Sequence, residues 1–291
     1  MKKIKKCVIP AAGSWTRFLP ATKALPKEMF PIVDKPVMQL LVEEAISIGC
    51  EEIIIITWRN KRAIEDHFDA NIELEQKLEE AGKNDYLEII KKTTSLANFV
   101  YVRQPYPLGD GDAILRAKNL INDEPFLVLF WDDIVDGKET ASEQLLQAFN
   151  RKNSTCIATI NVEKKDISSY WIIESKENKK IFTVEKFLEK PWIDETDSTN
   201  AVIWKYILTS DIFDYLERAK NNKISKDGEL RLADALEIMR KEKDIYGVNI
   251  EWERFDTWSK LGYIKAVLHY AMKDEKLNKE LKKYLENRIT G

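Results

Sequence analysis

Hydrophobic and polar positions follow two patterns along the first half of the chain: short apolar runs and helical spacing. Short apolar runs predict buried strands at residues 6–10, 52–57, 99–103 and 126–130. Helical spacing predicts helices at residues 38–48, 61–68, 72–81 and 112–120. The run EIIIIT at 52–57 is typical of a strand that is covered on both faces. Strand and helix in this order predict an α/β fold, with a parallel sheet, helices on both faces and right-handed crossovers.

The second half is richer in strands and ends in helices. Strands are predicted at residues 155–162, 170–174, 181–188 and 200–208, and helices at 211–219, 229–240 and 259–272. The last stretch, residues 274–287, predicts a charged amphipathic helix, either a solvated helix or a subunit contact. Neither a low-complexity linker nor an internal repeat interrupts the chain, so we expect one continuous domain over residues 1–291.

Composition and charge narrow the class of protein. The chain has 291 residues, 33% of them charged and 44% hydrophobic, which is typical of a soluble globular protein. Its 46 basic and 49 acidic side chains give a net charge of -3, which argues against binding to nucleic acid or to a membrane surface. Apolar runs stay well short of the ~20 residues that cross a bilayer, and we expect a cytoplasmic protein. Three scattered cysteines favour neither a disulfide framework nor a zinc site.

The loop after the first strand is rich in small residues, prolines and cations. Residues 10–36 read PAAGSWTRFLPATKALPKEMFPIVDKP, and the loop contains Arg17, Lys23 and Lys27. Small residues let backbone N–H groups approach an anion, and the cations add positive charge. The spacing is neither that of a Walker A loop nor that of a GxGxxG fingerprint. We therefore expect an anion site at the carboxyl end of the first strand.

This loop resembles the fingerprint of the sugar nucleotidyltransferases. Its longer form, with ATKALPKEM, resembles that of the bacterial UTP–glucose-1-phosphate uridylyltransferases. The resemblance continues in order over nearly the whole chain, at residues 59–69, 101–104, 107–111, 132–133, 189–191, 255–256 and 260–263. It implies a Rossmann-like three-layer sandwich with a mostly parallel, mixed central sheet. It also implies a nucleotide-binding half (1–137), a sugar-binding half (138–263) and C-terminal helices (264–291).

The resemblance implies a reaction and a set of site residues. UTP and α-D-glucose 1-phosphate would give UDP-glucose and pyrophosphate, with Mg²⁺ as the cofactor and a homodimer or homotetramer as the assembly. No enzyme nucleophile is required, because positioning and electrostatics carry such a transfer. The implied catalytic residues are Arg17, Lys27 and Lys190, and the implied metal ligands are Asp132 and Asp256. The implied substrate contacts are Ala11, Ala12, Gly13, Glu28, Gln104, Gly109, Asp133, Trp171, Glu189 and Trp204.

The resemblance also implies roles for most of these residues. Arg17 and Lys27 would neutralise the triphosphate and the departing pyrophosphate, and Lys190 would hold the sugar phosphate. Gln104 and Gly109 would contact the edge of uracil. Three small residues, Ala11, Ala12 and Gly13, would lie along the nucleotide, with Glu28 helping. Glu189 would accept hydrogen bonds from glucose hydroxyls.

Tryptophan and glycine are present in unusual numbers. The chain has ten glycines and eight tryptophans, and this glycine content is roughly half of the average usage of about 7%. The resemblance places the tryptophans where the family has glycine, at Trp15, Trp58, Trp131, Trp171, Trp192, Trp204, Trp252 and Trp258. One hypothesis is a UGA codon that the source organism reads as glycine. The rival hypothesis is that the tryptophans are genuine and that the chain is a homologue without full catalysis. A thymidylyltransferase-like relative is a separate alternative for the function.

Overall fold

Strands from both ends of the chain build the central sheet. The computed structural model describes residues 3–13, 17–222 and 228–289. Its strands are β1 (Lys6–Pro10), β2 (Pro31–Ile32), β3 (Lys35–Pro36), β4 (Glu52–Thr57), β5 (Asn98–Arg103), β6 (Phe126–Leu129), β7 (Asp133–Asp136), β8 (Cys156–Asn161), β9 (Trp171–Glu174), β10 (Ile181–Thr183), β11 (Lys186–Glu189), β12 (Asn200–Leu208), β13 (Tyr246–Asn249) and β14 (Glu253–Asp256).

Helices connect these strands and close the chain. They are α1 (Val37–Ser47), α2 (Arg62–Phe68), α3 (Ile72–Glu80), α4 (Asn84–Thr94), α5 (Asp110–Leu115), α6 (Lys118–Ile121), α7 (Ala141–Lys152), α8 (Ile212–Asn221), α9 (Leu232–Met239), α10 (Lys260–Lys273) and α11 (Glu275–Ile289). Short 3₁₀ helices lie at Ala21–Lys23, Lys27–Met29 and Lys164–Ser169. No helix among the described residues is long and apolar enough to span a membrane. The cytoplasmic location stays a prediction.

The central sheet is mixed and mostly parallel. Its strand order is β10-β13-β8-β12-β6-β1-β4-β5, with β9 also paired to β12 and β11 paired to β9. β1 pairs in parallel with β4 and β6, β4 with β5, and β8 with β13. β12 runs antiparallel between β6 and β8. The expected α/β class with a mostly parallel sheet is confirmed.

Helices cover both faces of the sheet, as its apolar strands require. Successive residues of β1 enter different cores: Cys7 and Ile9 pack beneath α1 and α7, whereas Val8 packs with α5, α8 and α9. In β4, Ile53 and Ile55 join the first core, and Ile54 and Ile56 join the second. One sheet therefore carries two cores. The proposed division into a nucleotide half and a sugar half stays a prediction.

Several element boundaries differ from those expected. Residues 181–188 form two strands because the chain changes partner: Val184 N–H donates to Ile245 O, and Glu185 N–H donates to Glu174 O. The helix expected at 112–120 is divided into α5 and α6. The pattern missed α7, although Thr140 and Glu143 form a reciprocal capping box at its start. It also missed α4 and the short antiparallel pair of β7 and β14.

Candidate active site

A cleft of about 430 Å³ opens beyond the carboxyl ends of β1, β5 and β6. Ligands of open α/β sheets bind at this edge. Residues from several loops line the cleft: Pro10, Ala12, Gly13, Lys27, Gln104, Pro107, Gly109, Asp110, Ala113, Phe130, Trp131, Asp132, Glu229, Arg231 and Trp258. Six of the implied site residues (Ala12, Gly13, Lys27, Gln104, Gly109 and Asp132) are therefore together.

The loop after β1 begins as a continuation of the sheet. Ala11 N–H donates to Ile56 O at 2.8 Å, and Ala11 itself is buried, so its backbone fixes the direction of the loop. Ala12 and Gly13 then line the cleft, whereas Trp15 lies outside the described residues. Small side chains here leave room for an approaching anion.

Lys27 is a buried cation at the floor of the cleft. It begins the 3₁₀ helix Lys27–Met29, and only 4% of its surface is exposed. Burial lowers the pKa of Lys27 to about 5, and the charges of Glu28 and Asp132 oppose this shift. A polyanion in the cleft would favour the protonated ammonium in the same way as these carboxylates do.

Glu28 points away from the cleft into a buried ion pair. Both of its carboxylate oxygens accept from Lys61 Nζ at 2.8 Å, and Glu28 has no exposed surface. Lys61 lies just before α2, so the pair ties the loop that carries Lys27 to the segment after β4. The geometry gives Glu28 a positioning role for Lys27.

Asp132 lines the cleft, and Asp256 lies on the strand that pairs with the segment directly after Asp132. β7 and β14 pair so that Asp133 lies opposite Asp256, and Thr257 N–H donates to Asp132 O at 2.9 Å. Thr257 Oγ1 also donates to Asp132 O, at 3.0 Å. These bonds hold together two segments that are far apart in the sequence.

The Asp132 carboxyl is in an unusual electrostatic state. Burial raises its pKa to about 8; Lys27 opposes this shift, and the charges of Asp133, Glu28 and Asp256 add to it. Its Oδ1 is buried and has no hydrogen-bond partner among the described residues. A buried carboxylate oxygen without a hydrogen-bond partner is a donor that a hard divalent cation satisfies.

The described residues contain no cluster of three or more His, Cys, Asp or Glu side chains that could enclose a metal. Asp132 and Asp256 alone would supply protein oxygens. Mg²⁺ is commonly held by one or two carboxylates together with substrate phosphates and water, so two carboxylates fit that ion.

Asp133 faces a cation of its own. Arg254 Nε donates to Asp133 Oδ1 at 2.6 Å, and the same guanidinium donates to Tyr170 Oη at 3.1 Å. Burial raises the pKa of Asp133 to about 6, although Arg254 opposes the shift. Asp133 thus contacts the arginine of β14, and its role as a substrate contact stays a prediction.

Gln104 and Gly109 form one wall of the cleft. Gln104 Nε2 donates to Gly109 O and to Asp112 Oδ2, both at 3.0 Å. Gly109 has a φ of 99°, and a Cβ there would collide with Leu230 O. Glycine at 109 therefore allows the segment that carries Arg231 to approach this wall.

The implied sugar residues and Arg17 are outside the lining of this cleft. Glu189 pairs with Trp171 across β11 and β9, and Lys190 follows at the exposed end of β11. Trp204 is closer, because its ring centroid is 5.7 Å from that of Phe130. Arg17 is exposed, with its guanidinium carbon 4.7 Å from the Trp258 ring centroid.

Sequence reasoning missed four residues that shape the site. Asp110 Oδ1 accepts from Leu232 N–H at 2.9 Å, Arg231 lines the cleft, and Thr257 and Arg254 support the carboxylates. For Asp110 the signal was present, since it opens α5 beside Gly109. Arg231 and Arg254 give no such signal, because only the fold brings Arg231 to the cleft and Arg254 to Asp133.

Comparisons with known proteins give one consistent family. The profile of the family described as Nucleotidyl transferase matches residues 6–277. UTP–glucose-1-phosphate uridylyltransferase 1 of Staphylococcus saprophyticus is 46% identical over 286 residues, 98% of this chain and 99% of that protein. A structure described as UTP-bound UGPase from Acinetobacter baumannii is 34% identical, with a TM-score of 0.90 over 97% of this chain and 98% of that one. A UDP-glucose pyrophosphorylase complexed with UDP-glucose is 38% identical, with a TM-score of 0.83 over 93% of this chain and 100% of that one.

Proposed function

The chain belongs to the nucleotidyl transferase family, and on that premise we propose that it transfers the uridylyl group of UTP to α-D-glucose 1-phosphate. The observation that carries the proposal is the 46% identity to a uridylyltransferase over 98% of the chain. A relative of the same name in Staphylococcus epidermidis is 45% identical. These similarities favour uridylyl over thymidylyl transfer.

The reaction joins two anions in line. A phosphate oxygen of glucose 1-phosphate forms a bond to the α-phosphorus of UTP, and the bond from that phosphorus to the α,β-bridging oxygen breaks. Pyrophosphate takes the bonding electron pair, and UDP-glucose remains. Enzymes accelerate such a transfer by positioning and by stabilising charge rather than by a nucleophile of their own.

The cleft provides a binding mode for the nucleotide. Ala11, Ala12 and Gly13 would lie along it, with the base against Gln104 and Gly109. Lys27 lies beside Asp132, where it can neutralise charge on the triphosphate and on the departing pyrophosphate. Arg17 would meet the same phosphates from the mouth of the cleft.

Asp132 and Asp256 would hold Mg²⁺, and Asp133 would stay with Arg254 beside them. The buried, unpartnered Oδ1 of Asp132 supports this assignment. When bound, Mg²⁺ would neutralise phosphate charge and orient the α-phosphate for attack. Thr257 fixes the backbone at Asp132, and this fixes the direction of its carboxylate.

The sugar phosphate would bind on the side of β9 and β11. Glu189 is the proposed acceptor for glucose hydroxyls, and Lys190 the cation for the sugar phosphate. Positions 171 and 204 would border the sugar. Position 204 adjoins Phe130 of the cleft wall, which supports continuity between the two substrates.

A second candidate is a homologue that binds nucleotide weakly and lacks full catalysis. Trp131 and Trp258 favour it, because their rings stand in the cleft 5.5 Å apart, between centroids. Lys27 Nζ is 3.5 Å from the Trp131 ring centroid. In the chain as written, two indoles therefore line the cleft in which the phosphates would bind.

We further propose a cytoplasmic homodimer or homotetramer that uses the C-terminal helices. α10 exposes apolar side chains, with Leu261 64% and Ile264 52% exposed. α11 extends beyond the last motif and exposes Leu277 by 42%. Exposed apolar positions on adjoining helices are typical of contact surfaces.

Pyrophosphate release tests the proposed function. The protein is incubated with each of UTP, dTTP, CTP and ATP, and with glucose 1-phosphate, galactose 1-phosphate or no sugar. We expect pyrophosphate and UDP-glucose from UTP and glucose 1-phosphate when Mg²⁺ is present. Greater release with dTTP than with UTP would contradict the uridylyl assignment. The assay is run on the chain as written and on the glycine-bearing variant defined below.

A further inference from the structure

Two tryptophans have backbone angles that bulky residues rarely adopt. φ is +94° at Trp252 and +55° at Trp204. A Cβ in this left-handed region crowds the following carbonyl oxygen, whereas glycine enters it freely. Outside glycine, the other described residues there are Val33, Asn60, Asn122, Asn153 and Lys190. Asparagine tolerates the region through local hydrogen bonds, and an indole has no such compensation.

The surroundings of Trp252 also suit a residue without a side chain. It lies in the turn between β13 and β14, and 44% of its surface is exposed. The ring lies against the backbone of Gly137, where a Cβ would overlap it. The indole is thus only partly buried, and its backbone has an unfavourable φ.

Trp204 lies at an irregularity in β12. The register with β8 shifts between Val202 and Tyr206, and Trp204 O accepts from Phe130 N–H at 3.1 Å. A glycine in the left-handed region is a common way to form such a bulge. The backbone at 204 therefore has the shape that glycine gives to a strand.

Trp131 and Trp258 place aromatic faces over the cations of the cleft. Lys27 Nζ is 3.5 Å from the Trp131 ring centroid and 4.7 Å from that of Trp258. Arg17 is over the same Trp258 ring. An anion that bound these cations would compete with the aromatic faces for them, because both rings line the same cleft.

We propose that the competent protein has glycine at positions 131, 204, 252 and 258, and that all eight tryptophans come from a UGA codon that the organism reads as glycine. The two strained backbones and the two rings in the cleft are independent observations. The ten glycines of the chain, roughly half of average usage, agree with them. The argument for 204 and 252 rests on the backbone alone; the argument for 131 and 258 rests on the proposed function.

The structure distinguishes these four positions from the others. Trp58, Trp171 and Trp192 have φ values outside the left-handed region, and Trp192 is 74% exposed. Trp15 lies outside the described residues. At these four positions, glycine follows only from the proposed codon assignment. Substitutions there in recombinant protein therefore serve as controls for the backbone argument.

Paired substitutions test the backbone argument. Trp252→Gly and Trp252→Ala both remove the indole, but only glycine relieves the left-handed φ, and the same holds for Trp204→Gly and Trp204→Ala. We expect each glycine variant to melt about 2–6 °C above its alanine partner. Trp192→Gly, at an exposed site with an ordinary φ, should not exceed Trp192→Ala. Equal melting of the glycine and alanine variants at both 204 and 252 would overturn the backbone argument.

Nucleotide binding tests the cleft argument. The double variant Trp131→Gly/Trp258→Gly should bind UTP at least tenfold more tightly in calorimetry than the chain as written. Trp131→Phe/Trp258→Phe retains aromatic faces over Lys27 and should stay weak. Equal UTP affinity in all three proteins would remove the cleft positions from the proposal.

Protein isolated from the source organism shows whether tryptophan or glycine is incorporated at these positions. Its tryptic peptide 244–254 contains position 252, and mass spectrometry reads the residue directly. We expect glycine there and at 204; tryptophan at either position overturns the proposal. The variant with glycine at all eight tryptophan positions, the glycine-restored chain, is then assayed for pyrophosphate release. Glycine in the natural peptide without UTP-dependent release would refute the proposed function and leave the glycine assignment standing.

Discussion

Replacing Lys61 by methionine removes the cation from a fully buried ion pair. Glu28 would remain without exposed surface and with both carboxylate oxygens deprived of the ammonium at 2.8 Å. At that distance and an effective dielectric constant of 20, the lost attraction is about 6 kcal/mol. Desolvation offsets part of it, so we expect Lys61→Met to lower the free energy of unfolding by about 3–5 kcal/mol.

A matched control uses the same substitution at the surface. Lys35 Nζ contacts Glu43 at 2.9 Å, but their side chains are 42% and 33% exposed. Lys35→Met should therefore cost less than about 1 kcal/mol. The double variant Glu28→Gln/Lys61→Met should lose less free energy of unfolding than the two single variants lose in sum. The reason is that each single variant leaves one buried charge without a partner, whereas the double variant leaves none.

Urea denaturation gives the stabilities, and pyrophosphate release from the glycine-restored chain gives the activities. Glu28 directly follows Lys27, so a displaced Glu28 should move the cation that we propose for the triphosphate. We expect Lys61→Met to lower kcat/KM for UTP, and Lys35→Met to leave it unchanged. The reasoning fails if Lys61→Met costs no more stability than Lys35→Met, or if the two single costs simply add.

The remaining predictions concern metal, phosphates, pH and assembly. Asp132→Asn in the glycine-restored chain should keep the melting temperature and lose at least about 100-fold in kcat, and chelation of divalent cations should do the same; full activity in chelator would exclude the metal. In that background, Lys27→Ala should mainly lower kcat, and Lys190→Ala should mainly raise KM for glucose 1-phosphate; identical kinetic defects would contradict this division. Burial raises the pKa of Asp110 from 3.8 to about 6, so the folded chain retains a proton that the unfolded chain releases. Stability should fall by up to about 3 kcal/mol as pH rises from about 4 to 6, and urea titrations of Asp110→Asn should lack that fall. Truncation after Lys273 should reduce the number of chains per particle in sedimentation equilibrium, and an unchanged number of chains would exclude α11 from the interface.

The parallel core could be predicted because its signals are local. EIIIIT at β4 can bury every side chain only between two layers of helices, and the pattern alone indicates this. The strands at residues 6–10 and 200–208 could also be predicted, because their apolar runs are local signals of the same kind. Short strands such as β7 and β14 give no periodicity over four residues, and they become strands only because they pair with each other.

The site could be predicted in part for a similar reason. Lys27 could be singled out because it lies in the cationic loop after β1. Asp132 could be singled out because it closely follows the buried strand β6. Glu28 could not be assigned from sequence, since its partner Lys61 lies 33 residues away. Asp133 is adjacent to Asp132, but its carboxylate accepts from Arg254, a partner 121 residues away that the sequence does not indicate.

The pairing of β7 with β14 has a consequence for the order in which this protein is made. Asp132 emerges from the ribosome with the first half of the chain, but Thr257 and Asp256 emerge more than a hundred residues later. At a synthesis rate of about 5–20 residues per second, the nascent chain holds Asp132 without its partner segment for several seconds or more. Asp132 and Asp256 come together only when β14 pairs with the segment after Asp132, so a chain that stops before residue 256 cannot form this carboxylate pair.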